Sequence, residues 1–217
     1  MKITKYEHAC LVIEKNEGAL IIDPGTYTDD FEIPKNVAAV LITHSHPDHN
    51  DPDKVSAITE QFPDCKVYAH QEVAKLLQGR IEVSEVALDQ TVSVADFRVK
   101  FVGGTHALIH ESIGRIANLG ILIDDGRLYY PGDSFFIPDV PVTVLALPVS
   151  APWAKIAETV DFLNAVRPQY AFPTHDGILS QKGKDLVDGL CSVMYQNRDG
   201  RYERIQSGHT KLFNEEN

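Results

Sequence analysis

Between an unbroken apolar run, Val37-Ala-Ala-Val-Leu-Ile42, and the next helix signal stands His44-Ser-His46-Pro-Asp48-His49, three imidazoles and a carboxylate in six residues. The run reads as a strand covered on both faces. Pro47 forbids a regular continuation, so the segment from Thr43 to Asp51 is a loop mounted on the end of a buried strand. In an extended segment residues i and i+2 point the same way. His44 and His46 can therefore grip one ion while Asp48 and His49, further round the loop, face a second.

Four side chains cannot complete two sites. Further ligands are expected at strand ends, where a rigid sheet can hold them. Three residues of ligand type stand there: His106 after a strand ending in Gly103-Gly104, Asp133 after Pro131-Gly132, and His175 after Pro173-Thr174.

The rest of the chain supplies a scaffold for such loops. The sequence from Ile3 to Ile22 predicts a hairpin and a third strand, with Asn16-Glu17-Gly18 as turn and Asp23-Pro24-Gly25 ending the last strand. Asp51 or Asp53 caps a helix reaching about Phe62. Lys66–Ala69 reads as strand and Gln71–Gln78 as helix. Short strands follow at Val86–Leu88, Thr91–Val94 and Arg98–Val102. Leu119–Ile123 and Arg127–Tyr130 are joined by Asp124-Asp125-Gly126 as a hairpin turn. Strand Val142–Leu147, a helix from about Trp153 to Val166, strand Tyr170–Phe172 and a helix from about Gln181 to Tyr195 complete the reading. No linker, low-complexity tract or residue-level repeat divides the 217 residues, so a single domain over residues 1–217 is expected.

A formal charge of −11 repels a phosphate backbone, which argues against nucleic acid as partner. No apolar run approaches the roughly 20 residues of a membrane span or forms an export signal at the N-terminus, and the three cysteines are widely spaced with no CxxC. A cytoplasmic protein with reduced thiols is expected. A small-molecule substrate fits this picture, and homo-oligomerisation is compatible with it.

The His44-x-His46-x-Asp48-His49 motif, followed in order by His106, Gly132-Asp133 and Pro173-Thr174-His175, resembles the metallo-β-lactamase superfamily over roughly residues 1 to 180. The His8-Ala9-Cys10 opening is similar to that of small hydrolases grouped near the ascorbate-6-phosphate lactonases. The resemblance implies an α/β fold, a four-layer αββα sandwich of two mixed sheets. It also implies that His44, His46 and His106 hold one metal and Asp48, His49 and His175 the other, with Asp133 bridging. Two divalent ions are implied, zinc first, with manganese or iron as alternatives. A bridging hydroxide would then attack a small ester, lactone, amide or phosphodiester, with Asp48 orienting it or accepting a proton as catalytic residue.

Two departures qualify the match. Asp133 stands where true β-lactamases carry Cys, which points away from antibiotic hydrolysis, and Glu7 stands where close relatives often carry Gly. Around the centre, His8, His110, Ser150, Trp153 and Lys155 are candidates for contacting substrate. Each also has a structural reading, as packed or loop histidine, helix cap, core indole or solvated helix face. Two other activities share such folds. An iron-dependent oxidoreductase is one, although flavin-linked di-iron relatives typically carry an acidic residue where His46 stands. An RNA-processing nuclease is the other, disfavoured by the acidic balance.

Overall fold

In a computed structural model, which describes residues 1–16, 18–196 and 198–214, three apolar-rich segments open the chain as an antiparallel meander. They are β1 (Lys2–Lys5), β2 (Leu11–Lys15) and β3 (Gly18–Ile22). Glu17, the centre of the expected turn, lies outside the described residues. β4 (Val37–Ile42) then joins β3 in parallel, with Leu41 opposite Ile22.

Two crossovers extend this sheet in the parallel sense: α1 (Pro52–Gln61) leads to β5 (Lys66–Ala69), and α2 (Gln71–Leu77) leads to β6 (Val83–Glu85). Asp51 caps α1 by accepting the Asp53 N–H, and Pro52, which has no N–H to leave orphaned, occupies the first turn.

The second sheet begins antiparallel with β7 (Thr91–Val94), β8 (Phe97–Gly103), β9 (Leu119–Ile123) and β10 (Leu128–Tyr130). It continues parallel with β11 (Val144–Pro148), β12 (Tyr170–Thr174) and β13 (Arg201–Tyr202). α3 (Ile156–Val166) and α4 (Gln181–Val193) make its crossovers, and β14 (His209–Leu212) returns to pair with β1.

Alternation along the strands builds the layers. On β4, Ala39 and Leu41 face inward and share a core with Phe101 of β8 and Ile121 of β9. Val40 and Ile42 face outward onto Val55 and Ile58 of α1. The outer face of the second sheet is covered in the same way by Phe162 and Leu163 of α3 and Val187 of α4. The order is helix, sheet, sheet, helix, with both sheets mixed, as the resemblance implies. Among the described residues no helix is long and apolar enough to cross a membrane.

Several boundaries differ from the sequence reading. The strand expected at Val86–Leu88 lies at Val83–Glu85: the Val86 N–H still donates to Ala69, but Ala87–Gln90 then turns and leaves Leu88 exposed. α3 begins at Ile156 and not near Trp153, because the backbone N–H of Lys155 is capped by the Glu158 carboxylate and Trp153 stays in the preceding loop. β13 and β14 carry no apolar alternation of their own and were not expected.

Candidate metal centre

The parallel strands of the two sheets end on one edge of the sandwich, and the histidines and aspartates gather there. The loop His44–His49 leaves β4, His106 follows β8, Asp133 follows β10 and His175 follows β12. Two glycines let these loops approach. A Cβ on Gly25 would stand 1.8 Å from the Asp48 carbonyl oxygen, so the turn after β3 passes directly beneath the histidine-rich loop. Gly132 has φ +60, and a Cβ there would meet Asn118 Oδ1 at 2.5 Å. With Gly in place, that same oxygen accepts the Asp133 N–H at 2.9 Å.

Two clusters result. In one, ligand atoms of His44, His46, His106 and Asp133 all lie within 4.8 Å of one another; in the other, so do those of His8, Asp48, His49 and His175. Asp133 stands between them. Its Oδ2 is 3.3 Å from His106 Nε2 in the first cluster and 3.2 Å from His175 Nε2 in the second, and its Oδ1 is 3.1 Å from His49 Nε2.

The tautomers of these histidines follow from their outer partners. His106 Nδ1 donates to the Ala107 carbonyl at 2.6 Å, His175 Nδ1 to the Ser150 carbonyl at 2.5 Å, and His49 Nδ1 to the Asp23 carboxylate at 2.7 Å. Thr43 Oγ1 donates to Asp23, so it accepts from His44 Nδ1 at 3.0 Å. A neutral imidazole that donates from Nδ1 carries its lone pair on Nε2. The Nε2 atoms of His49, His106 and His175 are buried and make no hydrogen bond, and neither does Asp133 Oδ1. Leaving a buried polar atom unpaired costs about 1–3 kcal/mol. Four such atoms aimed into one space fit a cation, and outer partners that fix the tautomer are the usual accompaniment of metal-binding histidines.

His8 has the opposite polarity. Its Nδ1 accepts the Gly177 N–H at 3.2 Å, which leaves the proton on Nε2, donated to Asp48 Oδ2 at 3.0 Å. In this tautomer His8 orients a carboxylate and offers the cavity no lone pair.

The electrostatics favour positive charge. Burial pushes the Asp133 and Asp48 carboxyls up, but facing imidazoles outweigh it and hold both below the usual range, His49 and His175 leading at Asp133, His175 and His8 at Asp48. Burial alone would lower His49 and His175. The facing carboxylates overcome it, Asp133 first for both with Asp23 next at His49 and Asp48 at His175, raising His175 to about 9 and His49 well above its ordinary value, so that a proton and a cation compete for the same Nε2 lone pairs. His8, buried without so strong a partner, falls to about 4.

The remaining candidates divide. Trp153 is buried and its Nε1–H donates to Asp133 Oδ2 at 2.8 Å. Ser150 acts through its carbonyl on His175. His110 is exposed, and its Nδ1 accepts the Ser112 N–H within its own loop. The Lys155 side chain is exposed at the start of α3. Sequence reasoning missed Asp23, which is fully buried and accepts from Thr43 N and Oγ1, His49 Nδ1 and Tyr130 OH. The one available signal was positional: Asp23 directly follows β3, the parallel neighbour of the strand that carries the motif.

Residues 2–175 match the Beta-lactamase superfamily domain. The chain is 37% identical over 198 residues to the protein Rv0786c of Mycobacterium tuberculosis, covering 89% of this chain and 92% of that one. It is 26% identical over 206 residues to a metal-dependent hydrolase of Aeropyrum pernix, covering 81% and 82%. Its fold is similar to that of Igni18, a metallo hydrolase from Ignicoccus hospitalis, with a TM-score of 0.76 at 18% identity, covering 98% and 99% of the two chains. A match of this extent, on a fold and a histidine–aspartate centre built as described, shows that the chain belongs to the metallo-β-lactamase superfamily, in the branch of its metal-dependent hydrolases.

Proposed function

We propose that the protein hydrolyses a small ester, lactone, amide or phosphodiester with two divalent cations, zinc first and manganese or iron as alternatives. His44, His46 and His106 hold one cation, Asp48, His49 and His175 the other, and Asp133 is shared. The observation that carries this reading is the set of buried, unpaired Nε2 and Oδ1 atoms on His49, His106, His175 and Asp133, three of them with the tautomer fixed from behind. When bound, such a pair supplies an acidified water and fixed positive charge for an oxygen that becomes negative in the transition state.

The chain's own residues supply the rest. Asp48 is the more open of the two carboxylates, its side chain 20% exposed against 3% for Asp133. It stands where it can orient a water and accept its proton, while the His8 Nε2–H fixes its Oδ2. The loops that carry ligands also expose apolar side chains: Leu108 beyond His106, Phe136 beyond Asp133 and Ile178 beyond His175. A small cavity beside His46 and His106 is lined by Ile109, Ile113, Arg115 and Ile116. A substrate with an organic body suits this rim.

The test is to strip the protein with a chelator, reload it with zinc, manganese or iron, and screen ester, lactone, amide and phosphodiester libraries. Turnover should return only with a divalent cation and fall by more than about 100-fold in Asp133→Ala, beyond what loss of an outer partner costs. Turnover that survives chelation, or is unchanged in Asp133→Ala, contradicts the proposal.

A further inference from the structure

Asp133 is gripped from two sides. Its backbone N–H donates to Asn118 Oδ1, whose amide in turn donates to the Pro131 carbonyl at 2.9 Å. Its side chain receives the Trp153 indole N–H on Oδ2 at 2.8 Å. The indole comes from the loop between β11 and α3, twenty residues along the chain. It is wedged edge-on against Phe135, with ring centroids 5.1 Å apart, and it also touches one histidine of each cluster: His106 at 6.0 Å and His175 at 6.2 Å. Trp153 is only 8% exposed, so little of its ring remains open to a ligand.

The terminal torsion of an aspartate is soft, and a carboxylate has about four lone-pair sites. Which of them faces which histidine cluster must be set by something outside the carboxylate. We infer that Trp153 is a positioning residue: by occupying one lone pair of Asp133 Oδ2 it fixes the carboxylate plane, with Oδ2 toward His106 and His175 and Oδ1 toward His49. Indole is suited to this task because it donates and has no acceptor. A histidine there could itself bind the cation, and a lysine or arginine would repel it. A donor to an ionised oxygen also makes a stronger bond than a neutral pair, and this one adds no charge to the centre.

This inference rests on the two-cation reading above, and the experiment separates their failures. Trp153 is the only tryptophan in the chain, so its emission and its single indole N–H resonance report on this position alone. Titration of the metal-free wild type with Zn²⁺ should change the emission saturably up to two ions per chain. The indole N–H should stay protected from exchange in the loaded protein. Trp153→Phe keeps an aromatic ring against Phe135 and removes the N–H. Competition with a chelator should then show at least one Zn²⁺ site weakened by about 10–100-fold, the range for outer partners of metal ligands, whereas a merely structural role would lower the unfolding temperature of the metal-free variant and leave Zn²⁺ affinity alone. Wild-type Zn²⁺ affinity at both sites in Trp153→Phe overturns the inference while the two-cation reading stands. Failure of the wild type to take up Zn²⁺, Mn²⁺ or Fe²⁺ overturns both. Should the variant not fold, the wild-type resonance decides: free exchange of the indole N–H in the loaded protein contradicts the inference.

Discussion

Asp23 accepts from four donors in a position with no solvent contact: Thr43 N at 2.8 Å, Thr43 Oγ1 at 2.7 Å, His49 Nδ1 at 2.7 Å and Tyr130 OH at 2.9 Å. Through Thr43 it also reaches His44. One carboxylate thus sets the tautomer of a histidine in each cluster. Asp23→Asn replaces an acceptor with an amide that points protons at donors. We predict a loss of about 1–3 kcal/mol of folding stability and a 10–100-fold loss of zinc affinity, read by denaturant unfolding of the metal-free protein and by chelator competition. Wild-type zinc affinity in Asp23→Asn would contradict the role. Residues of this kind are hard to read from sequence. His44, His46, Asp48 and His49 are conspicuous because their chemistry is concentrated within six positions. Asp23 lies in an Asp-Pro-Gly that ends a strand in any fold, and only the pairing of β3 with β4 brings it to the site.

His175 is held from behind by an ion-pair network that joins three elements. Lys5 of β1 donates to Asp176 Oδ1 at 2.9 Å, and Arg204, just beyond β13, pairs with Asp176 and with Asp188 of α4. Lys5, Asp176 and Arg204 are all nearly buried. Removing one partner of a buried pair typically costs about 3–5 kcal/mol, so Asp176→Asn should lower the unfolding free energy by that order and loosen the turn after His175. Burial pushes the Asp176 carboxyl up, but Lys5 and Arg204 outweigh it and hold it below the ordinary value. A depressed carboxyl contributes stability above its unfolded pKa of about 4, and the contribution is lost as pH falls through the folded value. Unfolding free energies measured from pH 6 down to pH 3 should therefore fall more steeply in the wild type than in Asp176→Asn. Equal slopes would contradict the assignment. At this scale the long, strongly patterned elements were legible, β4 and α1 above all, because periodicity and a cap point to the same structure. β13 and β14 were not, since a two-residue strand and a mostly polar edge strand are defined by their partners β12 and β1 and by no pattern of their own.

Across the whole molecule, the α/β class was legible because strand-loop-helix units recur in both halves, whereas the four-layer sandwich followed only from the resemblance that the motif carries, because the stacking of one sheet on another leaves no pattern of its own in the sequence. The layers also seal the cysteines. Cys10, Cys65 and Cys191 are all buried, and burial pushes the thiols up, Cys65 to about 11, Cys191 to about 12 and Cys10 further still. A thiol reagent at neutral pH should label almost none of them in the folded protein and all three after denaturation; rapid labelling of the native state would contradict the packing. The centre as a whole depends on a shared cation pair. Anomalous diffraction at the zinc edge, from crystals grown with Zn²⁺, tests it most directly. We predict two peaks per chain, one among His44, His46 and His106 and one among Asp48, His49 and His175, both beside Asp133. No peak there, or a single peak that leaves Asp133 without a cation, would contradict it.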